Sequence, residues 1–261
     1  MPIDEFQILV FSIIGKNRDP NSYVAGGVAI NAASNSPRFS ADIDLFHASA
    51  EAVQRSSALD RAALEAAGFL VDVNVNQPGF ITAVISKAGS TLKLDWANDS
   101  AFRFFPIERD RVMGYRLHAV DLATNKCLAL AGRSEVRDII DAIHLNESTM
   151  SLACMIWAAC GKDPGFTPDM IVSQLRRNAR ISPDSLAIER TVRPVDAVQL
   201  KKDWLTLIEK AETELLTFPT QDLGCVYTDQ EGKLVGWPET FDELRPHFGS
   251  VGGAWPVART N

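Results

Sequence analysis

Residues 23–46 read YVAGGVAINAASNSPRFSADIDLF, and this stretch decides the fold. Tyr23-Val24-Ala25 is a short apolar strand that runs straight into Gly26-Gly27. Two glycines at a strand-to-helix turn permit positive φ and close backbone approach. Their amides, leading a helical turn over Val28 to Ala33, can hold a phosphate. Asn35 to Pro37 closes that turn. From Phe39 to Phe46 polar and apolar residues alternate with period two. Ser40, Asp42 and Asp44 take one face; Ile43 and Leu45 take the other. Asp42 and Asp44 therefore point the same way from one strand. Like charges so placed repel unless a cation lies between them, and carboxylate oxygens suit Mg²⁺ or Mn²⁺.

Working outward, residues 5–15 read as a helix, and the alanine-rich stretch 50–67 as another, ended by Gly68. Phe69, Val71, Val73 and Val75 alternate as a strand. Pro78-Gly79 turns the chain into a hairpin of Phe80 to Ser86 and Thr91 to Trp96 across Lys87-Ala88-Gly89. In its second arm Lys93 and Asp95 share the polar face, so they can pair. Asp95 is the third carboxylate. Three convergent carboxylates can hold two Mg²⁺ ions, and such a pair clamps an in-line phosphoryl displacement. A Gly-Gly turn alone is common, and Asp-x-Asp alone often marks a solvated strand. Their order, short separation and alternating phase are more selective than either part.

The character changes near Val120. Helices are predicted from Leu122 to Ala131, from Ser134 to Leu145, from Thr167-Pro168 through Arg180, and from about Val195 to Leu216; Met150 to Cys160 is apolar enough to be buried. Beyond Phe218, glycines and prolines leave little room for helix. Val226-Tyr227-Thr228 and Lys233-Leu234-Val235 suggest a small hairpin, and Trp237, Phe241, Phe248 and Trp255 supply aromatic mass to pin the tail. The expected fold is α/β (α+β): a mixed-sheet core followed by a helical C-terminal region. Three parts are expected: residues 1–120 as a catalytic core, 121–217 as a helical domain completing a cleft, and 218–261 as a packed tail.

Composition narrows the function. The 261 residues are 46% hydrophobic and 23% charged, which is ordinary for a globular chain. A net charge of −7 gives no support to a nucleic-acid scaffold, although basic residues gather between Lys87 and Arg116. No apolar run reaches the ~18 residues of a membrane span, and Asp4 and Glu5 sit where a signal peptide wants lysine. A cytoplasmic protein is expected. Four scattered cysteines form no CxxC, and the four histidines form no HExxH.

The stretch 23–46 resembles the nucleotidyltransferase superfamily that includes DNA polymerase beta-like enzymes. It is most similar to the branch of minimal nucleotidyltransferases that contains AbiEii-type abortive-infection toxins. That resemblance identifies Gly26 and Gly27 with the family's glycine turn, Asp42 and Asp44 with its paired carboxylates, and Asp95 with the later one. Arg38-Phe39-Ser40 matches the Arg-x-Ser/Thr before the pair. DLATNKCLALAGRSEVRDIIDAIHL, residues 121–145, is similar to the branch's second region. Lys126 would be its triphosphate-contacting lysine, Arg133 the trailing arginine and Asp138 the acidic motif residue, with Asp141 beside it. Lys126 otherwise reads as a side chain that snorkels from an apolar helix.

The resemblance covers roughly residues 20–145 and implies an activity. An NMP would pass from an NTP to an acceptor hydroxyl of RNA, a small molecule or a protein, with pyrophosphate released. Asp42, Asp44 and Asp95 would hold Mg²⁺ or Mn²⁺, and Asp95 would help deprotonate the acceptor. Gly26, Gly27, Arg38, Ser40, Lys126 and Asp138 would serve the nucleotide. The family also implies a toxin-like role beside a cognate antitoxin. The competing reading is a catalytically silent nucleotide-binding module on the same fold.

Overall fold

A computed structural model describes residues 3–33 and 35–256. The chain forms two compact units. The first takes the chain up to Ala101 together with Ile107–His118, and the second takes Phe102–Pro106 together with the chain from Ala119 onward.

In the first unit, helix α1 (Glu5–Ile14) starts in a capping box: Asp4 accepts from the Gln7 amide, and the Gln7 side chain accepts from the Asp4 amide. Strand β1 (Ser22–Ala25), helix α2 (Gly26–Ile30), strand β2 (Asp42–His47), helix α3 (Ala50–Ala66) and strands β3 (Leu70–Gln77), β4 (Phe80–Lys87) and β5 (Ser90–Asn98) follow. After β6 (Phe102–Arg103), which belongs to the second unit, β7 (Glu108–Asp110) and β8 (Gly114–Arg116) complete the first. The sheet order is β3-β4-β5-β2-β1-β8-β7. β2 runs parallel to β5, and β1 parallel to β8; the other neighbours are antiparallel. This is the mixed α/β sheet expected from the alternation patterns.

Register places the chemistry. Ile43 lies beside Leu94 and Leu45 beside Trp96, all fully buried and facing α3. On the opposite face Asp42 lies beside Lys93 and Asp44 beside Asp95. The helix expected over Val28 to Ala33 begins earlier, at Gly26, because Gly26 itself turns the corner at φ +62° after an extended Ala25.

Beneath α3 lies a buried polar network. Arg18 Nη2 donates to Asp60 Oδ1 and Oδ2 at 2.6 and 2.5 Å and to Ser56 Oγ at 3.0 Å. The Ser22 hydroxyl sits 3.3 Å from Ser56 Oγ and 3.1 Å from Nε2 of His47, which is fully buried. Burial, then the nearby Arg18 charge, lowers the His47 pKa from its ordinary 6.5 to about 4. The folded state therefore refuses a proton that the unfolded chain accepts. Stability should be full above pH 6.5 and fall by on the order of 3 kcal/mol toward pH 4. Denaturant midpoints measured across that range test this: His47→Gln should flatten the slope, and an equal slope in the variant would overturn the assignment.

The second unit is mainly helical: α4 (Ala119–Gly132), α5 (Val136–Ser148), α6 (Leu152–Lys162), α7 (Pro168–Arg177), α8 (Pro183–Ala187) and α9 (Ala197–Leu215). The apolar stretch from Met150 to Cys160 is α6, and every residue from Leu152 to Cys160 is buried. Asp121 is also fully buried; it accepts from the Phe104 and Phe105 amides at 3.0 and 3.1 Å and pairs with Lys162 at 3.3 Å. That accounts for residues 102–106 joining this unit.

Two small sheets close it. β9 (Cys225–Thr228) pairs antiparallel with β10 (Arg245–Phe248), and β11 (Ser250–Val251) pairs with β6. The expected hairpin of 226–228 with 233–235 is present in short form: one bridge, Thr228 to Leu234, with the Val235 amide donating to the Tyr227 carbonyl at 2.9 Å. Asp229 shapes its turn, accepting from the Glu231 and Lys233 amides at 2.9 and 2.8 Å. Phe241 pins the tail, stacking at 4.8 Å on both Phe218 and Tyr227, whereas Trp237, Phe248 and Trp255 stay about half exposed. Among the described residues no helix is long and apolar enough to cross a membrane.

Candidate active site

The glycine turn is built around the side chains that follow it. A Cβ on Gly26 would overlap the Asp44 carboxylate, and one on Gly27 would lie 2.8 Å from both Arg38 Nη2 and Ser40 Oγ. Each glycine is thus the space that lets a polar group reach the backbone. The loop between them and β2 is braced. Asn31 Nδ2 donates to the Gly27 carbonyl at 2.9 Å, and Ser36 hydrogen-bonds the Asn31 side chain. Arg38 is 3% exposed, and its Nη1 donates to the Phe39 carbonyl at 3.1 Å.

The carboxylates follow the strand pairing. Ser40 Oγ donates to Asp42 Oδ1 at 3.0 Å, while the Ser40 carbonyl accepts from buried Gln7 at 2.9 Å. Asp44 lies between Ala25 on β1 and Asp95 on β5. Asp95 accepts from Thr82 Oγ1 at 2.8 Å and from Lys93 Nζ at 2.6 Å. The pairing of Lys93 with Asp95, open from the sequence, is present. Gly26, Gly27, Arg38, Ser40, Asp42 and Asp44 are brought together at the end of β1, and Asp95 joins them on the same sheet face.

Carboxylate oxygens on one face fit a hard divalent cation by chemistry. Among the described residues, however, no group of three or more histidine, cysteine, aspartate or glutamate side chains is spaced to hold a metal ion. Asp42 and Asp44 are the carboxylates that β2 places on this face; Asp95 has Lys93 as its cation.

In the second unit the other region is also a cluster. Lys126 does not snorkel: its side chain is 7% exposed, and Nζ lies 2.6 Å from Asp138 Oδ1 and 3.1 Å from Asp141 Oδ2. Arg133 Nε donates to Asp138 Oδ2 at 2.8 Å. Burial alone would raise the Asp138 pKa, but the Lys126 charge and the Arg133 hydrogen bond outweigh it and hold the carboxyl at about 2. The ammonium of Lys126 is thus fixed in direction by two buried carboxylates three residues apart on α5.

Sequence reasoning missed Thr82 and Gln7. Thr82 was legible in principle. A hairpin that sets Lys87 opposite Ser90 also sets Thr82 opposite Asp95. Gln7 reaches Ser40 across 33 residues, and no local signal marks it.

Comparison with known proteins places the chain among nucleotidyltransferases. The family model described as nucleotidyl transferase AbiEii toxin, Type IV TA system, matches residues 12–222. Among solved structures, MenT4, a nucleotidyltransferase toxin from Mycobacterium tuberculosis H37Rv, is 16% identical, with 84% of each chain covered and a TM-score of 0.58. A candidate nucleotidyltransferase from H. pylori is 15% identical over 81% of this chain and 94% of its own, with a TM-score of 0.52. JHP933 from Helicobacter pylori is 14% identical over 82% and 93%, also at 0.52. At such identities the likeness is one of fold. No curated protein matches the chain.

Proposed function

Because the chain belongs to the AbiEii nucleotidyltransferase toxin family, and is therefore a nucleotidyltransferase, we propose that it moves an NMP from an NTP to an acceptor hydroxyl with Asp42, Asp44 and Asp95 at the reacting centre. The observation that carries this reading is the fit of the Asp44 carboxylate into the space left by Gly26. It sets a carboxylate against backbone where a side chain would block its approach.

The acceptor oxygen attacks the α-phosphorus and forms the new P–O bond. The bond to the β-phosphate oxygen breaks, and pyrophosphate leaves with the electron pair. The acceptor proton goes to Asp95, which Thr82 Oγ1 orients by donating to its Oδ1. Gly26 and Gly27 amides, with Ser40 and Arg38, orient the triphosphate. In the second unit Asp138 and Asp141 fix the direction of the Lys126 ammonium. Mg²⁺ or Mn²⁺ held by Asp42 and Asp44, and by Asp95 once Lys93 yields, would supply charge neutralisation at the transferred phosphate. Catalysis of this kind is mostly positioning and electrostatics. The acceptor is a hydroxyl of RNA, a small molecule or a protein. A cognate antitoxin is the partner that the family implies, and the cytoplasm is the expected compartment.

Lys93 on Asp95 is the observation that favours the silent nucleotide-binding reading. One assay separates the two. Purified protein is incubated with each α-³²P-labelled NTP, Mg²⁺ or Mn²⁺, total RNA and cell extract, beside Asp42→Ala/Asp44→Ala. Label should pass to an acceptor with the native chain and fall at least ~10³-fold in the variant. Metal-dependent NTP binding without transfer would establish the silent module. Neither binding nor transfer would sink the catalytic assignment.

A further inference from the structure

Lys93 and Asp95 stand two residues apart on β5, so the strand period puts both on the face that carries Asp42 and Asp44. The pair is uneven in burial: the Asp95 side chain is 12% exposed and that of Lys93 45%. Thr82 Oγ1 donates to Oδ1 of Asp95 at 2.8 Å, and Lys93 Nζ donates to Oδ2 at 2.6 Å. A carboxylate so nearly buried is costly without a cation. Its partner, by contrast, sits on a flexible four-carbon stem, and half-exposed ion pairs of this kind are weak and open readily. Asp95 needs a cation, but not this one in particular. Lys126 shows the difference, because its side chain is only 7% exposed and two buried carboxylates hold its ammonium.

The charge of the face points the same way. Asp42, Asp44 and Asp95 meet two resident cations, Lys93 at Asp95 and Arg38 beside Gly27. A single divalent ion at Asp42 and Asp44 already overcompensates what negative charge remains. A second one at Asp95 would stand against the Lys93 ammonium on the same carboxylate oxygen, where two cations repel. It becomes favourable only when an anion arrives that can take up the displaced ammonium. A triphosphate is such an anion, and a lysine head is a point charge that binds phosphate oxygens well.

We propose that Lys93 is an internal plug on Asp95: its ammonium keeps a divalent ion off that carboxylate until a nucleoside triphosphate binds, and then moves to the triphosphate's phosphate oxygens. This rests on the transferase reading of the same site and gives it an order. Asp42 and Asp44 take a first ion without nucleotide, and Asp95 takes its own only with nucleotide. Lys93 is thereby a substrate-binding residue as well as a counter-ion. The exchange also keeps Asp95 from standing unpaired in either state, and Thr82 holds Oδ1 throughout, so only Oδ2 changes its partner.

The test counts Mn²⁺ bound to the full chain by equilibrium dialysis, first with Mn²⁺ alone and then with each α,β-methylene NTP, which binds but cannot transfer. Lys93→Met keeps the apolar stem and removes the charge. With Mn²⁺ alone the native chain should hold one ion, and Lys93→Met a second, bound roughly tenfold or more tighter than any second ion on the native chain. Lys93→Met/Asp95→Asn should return to one, which places the second ion on Asp95. With the analogue present the native chain should also reach two. The analogue itself should bind Lys93→Met more weakly than the native chain when Mn²⁺ is present, and equally well when it is absent. Equal ion counts in the native chain and Lys93→Met without nucleotide, whether none, one or two, overturn the proposal. So does a second ion that survives Asp95→Asn. Label transfer from α-³²P-labelled NTPs keeps the two readings apart. If label is transferred while the counts are equal, the plug fails alone. If the counts differ as expected and no acceptor is labelled, the transferase reading fails alone.

Discussion

Gly26→Ala is expected to cut nucleotidyl transfer by about 10²-fold or more while leaving the protein folded. Two separate effects converge there. The residue sits at φ +62°, where a side chain costs roughly 1–2 kcal/mol. The added Cβ would also occupy the place of the Asp44 carboxylate. Asp44 is on a strand hydrogen-bonded along both edges, to β1 and to β5, so its backbone has little freedom to retreat and the carboxylate must swing away. A displacement of about 1 Å at a reacting centre already costs on the order of 10²-fold. Gly27→Ala is a useful contrast. Its Cβ would meet the ends of the Arg38 and Ser40 side chains, which can move aside. There the loss should fall on the KM for NTP, with kcat less affected. Steady-state kinetics of both variants beside a thermal melt decide it. Full kcat in Gly26→Ala would mean that Asp44 is not held where the chemistry happens.

That contrast also shows what the sequence could and could not convey. The alternation from Ser40 to Leu45 was enough to put Asp42 and Asp44 on one face, because strand period is a property of the backbone alone. The hairpin of β4 and β5 was equally plain from its turn residues and apolar spacing. The parallel pairing of β2 with β5, which sets Asp44 beside Asp95, is a long-range choice with no local signature. So is the partner of β9. β9 keeps a short pairing with 233–235, yet its longer partner is β10, whose Arg245 lies 17 residues beyond Thr228. Lys126 was ambiguous for another reason. An apolar helix with one lysine reads the same whether the lysine escapes to water or meets buried carboxylates; only the packing of α4 and α5 brings Asp138 and Asp141 to it. The buried network of Arg18 and Asp60, 42 residues apart, left no trace in the periodicity at all.

For that network the expected result is a large loss of stability. Asp60→Ala should destabilise the chain by about 3–5 kcal/mol, because it strands the Arg18 guanidinium in a site where neither side chain touches water. Burial already works against the Arg18 charge, and Asp60 is its principal compensation. The same carboxylate accepts from Trp96 Nε1 and Asn17 Nδ2, each at 2.8 Å, so α3, β5 and the segment before β1 lose a shared anchor. Removing both charges is different in kind. Arg18→Met/Asp60→Leu deletes the desolvation cost together with the attraction, and should recover most of the loss. Arg18→Met, Asp60→Leu and the double form a cycle, read by chemical denaturation, in which the coupling should exceed ~2 kcal/mol. A loss below ~1 kcal/mol in Asp60→Ala would show that Arg18 finds another counter-charge. A double variant as unstable as the single would locate the stability in the Trp96 and Asn17 bonds instead. Trp96 neighbours Asp95 on β5, so this second outcome would make the buried network a determinant of where the third carboxylate sits, and transfer activity of the folded Asp60→Ala protein would fall with it.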